Sequence, residues 1–351
     1  MRYLELFSGI GGFRRAAECF ARDTGIEMNC VGFSEIDKYA TQTYLSNYQT
    51  GTEIVMNDIT RFAREHEQIA ALPDIDLILG GFPCQSFSLL GKKLGLEDER
   101  GQILFSIHEI LQVKQPRFLV FENVRNIVRH DKGKTLGKIK QFFHDNGYQF
   151  VETVLLDTQN FGLPQKRSRL FFVCCRDRLN IELTEERIVQ NFQGLAETSL
   201  QTYQGVREIL ERNTHPKYYL SEKIKHTILA DGSGNFWSKS QIDQPVARTL
   251  TATMVKMHRA CQDNYYSDDF INEERSHQDT DREILYHIPV RRLTPGEALK
   301  LQGFDDHFYR SALAAGVSEH QLYKQAGNAL SVNTGYALLH YLFAHCRIQE
   351  Q

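Results

Sequence analysis

Residues 3–35 constrain the fold of this chain more than any other stretch. A short apolar strand at 3–7 runs into Ser8-Gly9-Ile10-Gly11-Gly12. A helical stretch follows at 13–23, with Ala16 and Ala17 on one tight face and Gly25 near its end. A second apolar strand at 30–34 stops at Glu35. Strand, glycine loop, helix, strand and acid form the opening unit of a doubly wound, mostly parallel α/β sheet. In dinucleotide folds a carboxylate placed like Glu35, 24 residues after Gly11, accepts ribose hydroxyls. The glycine string is Gly-x-Gly-Gly and not the full dinucleotide fingerprint, so a nicotinamide cofactor is only weakly indicated. A tight turn and a nucleoside-cofactor seat both stay open, and the position after the first strand favours the seat.

The strand at 76–79 ends in Gly80-Gly81-Phe82-Pro83-Cys84-Gln85-Ser86-Phe87-Ser88. Two glycines and a proline present Cys84 at the carboxyl edge of the sheet, where ligands of open α/β folds bind. A lone cysteine is often a small buried hydrophobe. The polar flanks Gln85, Ser86 and Ser88 argue equally for a nucleophile. Residues 89–101, rich in glycine and charge without an apolar period, read as a mobile lid.

Other chemistry-bearing groups also fall at strand ends. Asp58 follows a third strand at 54–55 and either caps the helix begun by Thr60 or accepts from an amine of the cofactor base. A helix at 103–113 is stopped by Pro116, and the strand at 118–121 ends in Glu122-Asn123. Glu122 is either a surface carboxylate or a neighbour of Cys84. A helix at 136–145 and a strand at 150–156 lead to Gln165-Lys166-Arg167-Ser168-Arg169, which precedes a buried strand at 170–175. Those three cations are either a solvated face or are aimed at an anionic partner. Periodicity weakens beyond 178. Helical patterning returns at 291–301, where Thr294-Pro295-x-Glu297 is a capping start, and an apolar helix spans 332–343.

The 351 residues allow a large core and a second domain, and 41% hydrophobic with 24% charged residues is a globular balance. Neither a membrane-spanning run nor a signal peptide is read from the sequence, so a cytoplasmic protein is expected. Seven scattered cysteines form neither a disulfide framework nor a zinc site, and no metal is expected. A net charge of −3 argues against a wholly non-specific DNA coat and leaves room for a locally basic cleft.

Gly9, Gly11, Glu35 and Asp58 suit an adenosine-containing cofactor. Cys84, Glu122, Arg167 and Arg169 suit attack on a polarised heterocycle. A thiolate near cations is a strong nucleophile. Cytosine C6 is a fitting electrophile when an acid stabilises N3 and a cation holds O2. Addition makes C5 carbanion-like and open to an electrophilic methyl group, provided the base leaves the duplex.

With these residues in order, the chain resembles the DNA (cytosine-5)-methyltransferases of bacterial restriction-modification systems, over residues 3 to about 340. Phe7-Ser8-Gly9-Ile10-Gly11-Gly12 is similar to the first cofactor motif, Pro83-Cys84-Gln85 to the nucleophile motif and Glu122-Asn123-Val124 to the acid motif. The run from Gln165 to Arg169 resembles the basic motif, and Arg291 to Glu297 with Gly327-Asn328 resembles the late motifs. The resemblance implies the S-adenosylmethionine-dependent methyltransferase fold, with S-adenosylhomocysteine as product. It implies cofactor contacts from Phe7, Gly9, Ile10, Gly11, Glu35, Asp58, Ile59, Pro83 and Asn328. Catalysis would fall to Cys84, Glu122, Arg167 and Arg169, and DNA contacts to Gln85, Ser88, Arg100, Arg248, Thr249 and Leu250.

The implied organisation is a catalytic domain at 1–177, a smaller strand-and-loop target-recognition domain at 178–290, and a return segment at 291–351. Double-stranded DNA is the implied partner, together with a cognate restriction endonuclease acting on the same site, and the family usually works as a monomer. Ala329 stands where the family usually has serine. Leu90 stands where some members place a polar lid residue. A tRNA cytosine-5 methyltransferase on the same scaffold and a catalytically silent DNA-binding homologue are the competing functions.

Overall fold

The computed structural model describes residues 1–82, 99–232 and 237–345, without the side chains of 99–101. Pro83, Cys84, Gln85, Ser88, Leu90 and the side chain of Arg100 lie outside the described residues, as does most of the expected lid. The chain divides into two compact units. One holds Met1–Asp157, Ser168–Ser199 and Thr334–Gln351, the other Thr158–Arg167 and Leu200–Asn333.

In the first unit β1 (Arg2–Leu6), α1 (Gly12–Thr24), β2 (Asn29–Phe33), α2 (Lys38–Asn47) and β3 (Ile54–Val55) form one half of the winding. After α3 (Ile59–Phe62) and α4 (His66–Ala71), the other half runs through β4 (Leu77–Gly80), α5 (Glu99–Lys114), β5 (Phe118–Val124), α6 (Lys134–Asp145), β6 (Phe150–Asp157) and β7 (Ser168–Cys175). A further helix, α7 (Glu185–Gln193), follows. The sheet order is β3-β2-β1-β4-β5-β7-β6, with β7 antiparallel to both its neighbours and the other pairs parallel. The expected mostly parallel sheet is therefore present, and β1 and β4 meet where its strand order reverses, the usual ligand position.

Local chemistry sets these elements. Gly11 caps α1 in the left-handed region and Gly25 ends it there. Asp37 caps α2 by accepting from the N–H groups of Tyr39 and Ala40. Gly80 pairs with Leu6 across the reversal point, and a Cβ on it would stand 2.5 Å from the Leu6 carbonyl oxygen. Only glycine permits that approach.

Several boundaries shift from expectation. The helix expected from 103 starts at Glu99, so the end of the expected lid is helical. Residues 178–199 stay with the first unit: Ile188 is buried, and Ser199 donates from its N–H and Oγ to Asp23 at 2.9 and 2.6 Å. Residues 158–167 and 291–333 join the second unit.

That second unit is mostly loop. Its regular parts are short: α8 (Glu222–Ile228), β8 (Tyr265–Ser267), α9 (Asp268–Ile271), α10 (Arg282–Leu285) and β9 (Val290–Arg292). β8 and β9 pair antiparallel. The patterning at 291–301 resolves into β9 and α11 (Pro295–Lys300), whose capping box joins Thr294 and Glu297 as the sequence indicates. Helices α12 (Asp306–Ala314), α13 (Glu319–Asn328) and α14 (Val332–His345) close the chain. Among the described residues no helix is long and apolar enough to cross a membrane.

One buried carboxyl in β1 has a thermodynamic consequence. Glu5 is 1% exposed and accepts from the Arg14 N–H at 3.2 Å and the Tyr44 hydroxyl at 2.9 Å. Burial raises its carboxyl from 4.5 to about 8. The folded protein thus keeps a proton that the unfolded chain releases. The associated stability is complete below about pH 4.5 and is lost as pH rises through about 8. Glu5→Gln is expected to flatten this loss, so urea midpoints of the two proteins should diverge between pH 5 and 9, with the variant gaining. Parallel midpoint curves would contradict the assignment.

Candidate active site

The end of β1 is strained in a way that serves a backbone cradle. Phe7 has φ +55°, Gly9 +55° and Gly11 +84°. For Phe7 this is a costly conformation. It is held by hydrogen bonds from the Phe7 N–H to Ser34 Oγ (3.2 Å) and from the Ser8 N–H to the Ser34 carbonyl (2.9 Å). A Cβ on Gly11 would sit 2.4 Å from the Tyr48 ring, whose hydroxyl donates to the Gly11 carbonyl at 2.7 Å. Gly9 faces open space instead.

Glu35, at the end of β2, closes this cradle. Its Oε2 accepts from the Gly9 N–H at 2.9 Å and its Oε1 from the Asp37 N–H at 2.7 Å. Burial pushes its carboxyl above the usual range. The neighbouring Ile36 is 76% exposed, an apolar surface beside a carboxylate. A glycine loop, an acceptor for hydroxyls and an apolar platform fit the adenosine part of S-adenosylmethionine.

The other expected cofactor residues have different surroundings. Asp58 caps α3, accepting from the N–H and hydroxyl of Thr60 at 2.9 and 2.7 Å. Ile59 and Ile10 are buried, Ile59 in the sheet core. Asn328 is the exposed last residue of α13 in the second unit.

The acid and basic motifs meet on one face of the sheet. β5 extends through Glu122 to Val124, and β7 begins early enough to include Arg169. Val124 pairs with Arg169 and Glu122 with Phe171. Strand alternation then puts Glu122 and Arg169 on the same face as diagonal neighbours. Arg169 Nε lies 2.9 Å from Glu122 Oε1, both side chains about 15% exposed. A Cβ on Gly81 would lie 3.6 Å from Glu122 Oε2, so this carboxylate stands beside the segment that leads into Cys84.

Asn123, on the opposite face, is 3% exposed. Its Nδ2 donates to the Phe82 carbonyl at 3.0 Å and its Oδ1 accepts from the Val124 N–H at 2.8 Å. It ties the acid strand to the peptide just before Pro83. The sequence offers a signal for it, since it sits between Glu122 and Val124 where a buried strand position must be satisfied.

The role expected of Arg167 is corrected by its surroundings. Arg167 is 1% exposed and donates from Nη1 to the Leu250 carbonyl (3.0 Å) and from Nη2 to those of Gly327 (3.0 Å) and Ala329 (2.8 Å). A guanidinium so enclosed organises backbone, so Arg167 is a positioning residue. Leu250 is likewise corrected: its side chain is buried, and its N–H donates to Gln165 Oε1 at 3.0 Å. Gln165, absent from the expected site, is fully buried and joins this hub through the Leu301 carbonyl at 2.8 Å. Arg248 and Thr249 are half-buried and line a cavity with Lys166.

The model of the family described as "C-5 cytosine-specific DNA methylase" matches residues 1–344. The chain is 34% identical to the type II methyltransferase M.NlaX of Neisseria lactamica, covering 94% of this chain and 92% of that protein. It is 30% identical to M.HhaI of Haemophilus parahaemolyticus, over 95% and 91% of the two. In fold it is similar to the Dnmt2 methyltransferase of S. pombe, with a TM-score of 0.74, 20% identity and 98% of both chains covered.

Removing the cradle's carboxylate isolates its contribution. Glu35→Ala is expected to weaken S-adenosylmethionine by roughly tenfold or more in a calorimetric titration, with the near-UV spectrum of the fold retained. Unaltered affinity would remove Glu35 from the cofactor site.

Proposed function

The chain belongs to the C-5 cytosine-specific DNA methylase family, and from that premise we propose that it methylates C5 of a cytosine swung out of duplex DNA. Bound at the glycine loop and Glu35, S-adenosylmethionine supplies an electrophilic methyl group. The chain's own residues prepare the base for it. The Cys84 thiolate adds to C6 as Glu122 donates a proton to N3, which neutralises the charge that would otherwise develop there. Arg169 orients Glu122 through Nε and offers its N–H groups not engaged with Glu122 or the Ser168 carbonyl to cytosine O2. After methylation, C5 loses its proton to water, the Cys84 thiolate leaves C6, and N3 returns its proton to Glu122, which restores the ring and the acid. The observation that carries this reading is the Glu122 carboxylate, paired with Arg169 and standing beside Gly81, three residues before Cys84.

The second unit is the proposed target-recognition part, since Arg248 and Thr249 line its cavity with a cation of the basic motif. Relatives named as type II methyltransferases, at 30–34% identity over nearly the whole chain, support DNA as substrate. The second reading is a cytosine in tRNA. It uses the same scaffold, and the end-to-end fold likeness to the Dnmt2 structure, at 20% identity, bears on that architecture alone.

Incubation with methyl-labelled cofactor and either plasmid DNA or tRNA separates the two, and label is expected in DNA. Label in tRNA alone would overturn the DNA reading. Glu122→Gln is expected to lower kcat by roughly 10²–10⁴-fold while cofactor affinity persists. Asn123→Ala is also expected to lower kcat with cofactor affinity unchanged, because the Phe82 carbonyl loses its tether. A normal rate in either variant refutes the corresponding role.

A further inference from the structure

We propose that the cavity of the second unit reads one base pair through the carboxamide of Gln262, with Lys166 at the same cavity holding a backbone phosphate. The inference rests on the duplex-DNA reading and deepens it. The cavity is open to solvent, measures about 630 Å³ and is lined by Lys166, Arg248, Thr249, His258, Gln262 and Asp263 among others.

Its backbone is held firmly. The Lys166 N–H donates to the Ala247 carbonyl at 2.8 Å, and the Thr249 hydroxyl donates to the Lys166 carbonyl at 2.5 Å. Asn264 brackets Arg248, accepting from its N–H at 2.8 Å and donating to its carbonyl at 3.1 Å. Opposite this strand pairing, Asp263 accepts from the His258 N–H at 2.8 Å, and the N–H groups of Gln262 and Asp263 donate to the Arg259 carbonyl at 2.8 and 3.0 Å. A tight turn therefore presents Gln262.

Against this fixed frame the ends of two side chains stay uncommitted. Lys166 is exposed and its ammonium meets no carboxylate within the described residues. Gln262 is exposed and its carboxamide has no partner there either. Other polar groups of the lining are already engaged: His258 Nε2 lies 3.0 Å from the Thr253 hydroxyl, and Arg248 Nη1 donates to the Gln241 carbonyl at 3.1 Å.

The occupant must then carry an anion and, within the same cavity, a planar edge that both donates and accepts. A nucleotide within a duplex does both. A glutamine carboxamide pairs bidentately with adenine N6 and N7 in the major groove, whereas a lysine on phosphate carries no sequence information.

The test is bisulfite sequencing of plasmid DNA methylated by the wild-type protein and by Gln262→Ala, Gln262→Arg and Lys166→Ala. Gln262→Ala should relax one position of the wild-type consensus, reducing discrimination there roughly tenfold or more. Gln262→Arg should turn preference at that position from adenine toward guanine. Lys166→Ala should lower methylation of all sequences together and reduce the slope of binding against salt by about one. An unchanged consensus in both Gln262 variants overturns the proposal while the DNA reading stands. A wild-type protein that labels tRNA and no DNA removes both, and is recognised before any variant is made.

Discussion

The pairing of β5 with β7 decides whether this fold has a site at all. Because β7 runs antiparallel between β5 and β6, it brings the residue after Ser168 level with Val124, past the last parallel pair at Gly80 and Phe121. Glu122 and Arg169 then share a face. A slip of one residue would send Arg169 to the face of Asn123 and leave the carboxylate without its cation. Long apolar runs on both strands resist the slip: Phe118 to Phe121 and Leu170 to Cys175 are all buried. Core packing thus fixes the register, and the register assembles the charge pair.

The basic motif serves two structures with two arginines. Arg169 belongs to the first unit and works beside Glu122. Arg167, two residues earlier, belongs to the second and gathers the carbonyls of Leu250, Gly327 and Ala329. Burying a guanidinium is costly unless its donors are satisfied, and three backbone acceptors offset that cost. Gly327 is forced by the same crowding, since a Cβ there would lie 2.2 Å from the Thr251 carbonyl carbon. Leu250 with Thr251, Gly327, and Gln165 with Arg167 are therefore one packed assembly, although they lie far apart in sequence.

This assembly shows where reading the sequence stops. The glycine loop, the helix after it and Glu35 were legible because turn chemistry and apolar period are local properties. The mostly parallel sheet followed from the same unit. The direction of β7 was not legible, because buried strands of either direction read as apolar runs. Arg167 and Arg169 were indistinguishable for a related reason: both sit in one polar run, and only tertiary contacts separate a buried anchor from a partner of Glu122. Asp58 left its two roles open, and the structure has it capping α3. Beyond residue 178 periodicity faded because the second unit is held by side chain–backbone bonds from residues such as Gln165 and Asn264, which leave no repeating pattern.

The net figure of −3 says little about any one place on the surface. At 0.15 M salt, charges farther apart than about 8 Å are largely screened, so local arrangement outweighs the total. Many surface acids are already matched: Asp177 by Arg117, Glu182 by Arg187, Glu273 by Arg212 and Glu319 by Lys217. Such exposed pairs add little stability, but each cancels its own charge locally. Lys166 is outside that scheme of pairing, on a backbone held from both sides. An uncompensated cation on a fixed backbone attracts an anion locally whatever the sign of the total.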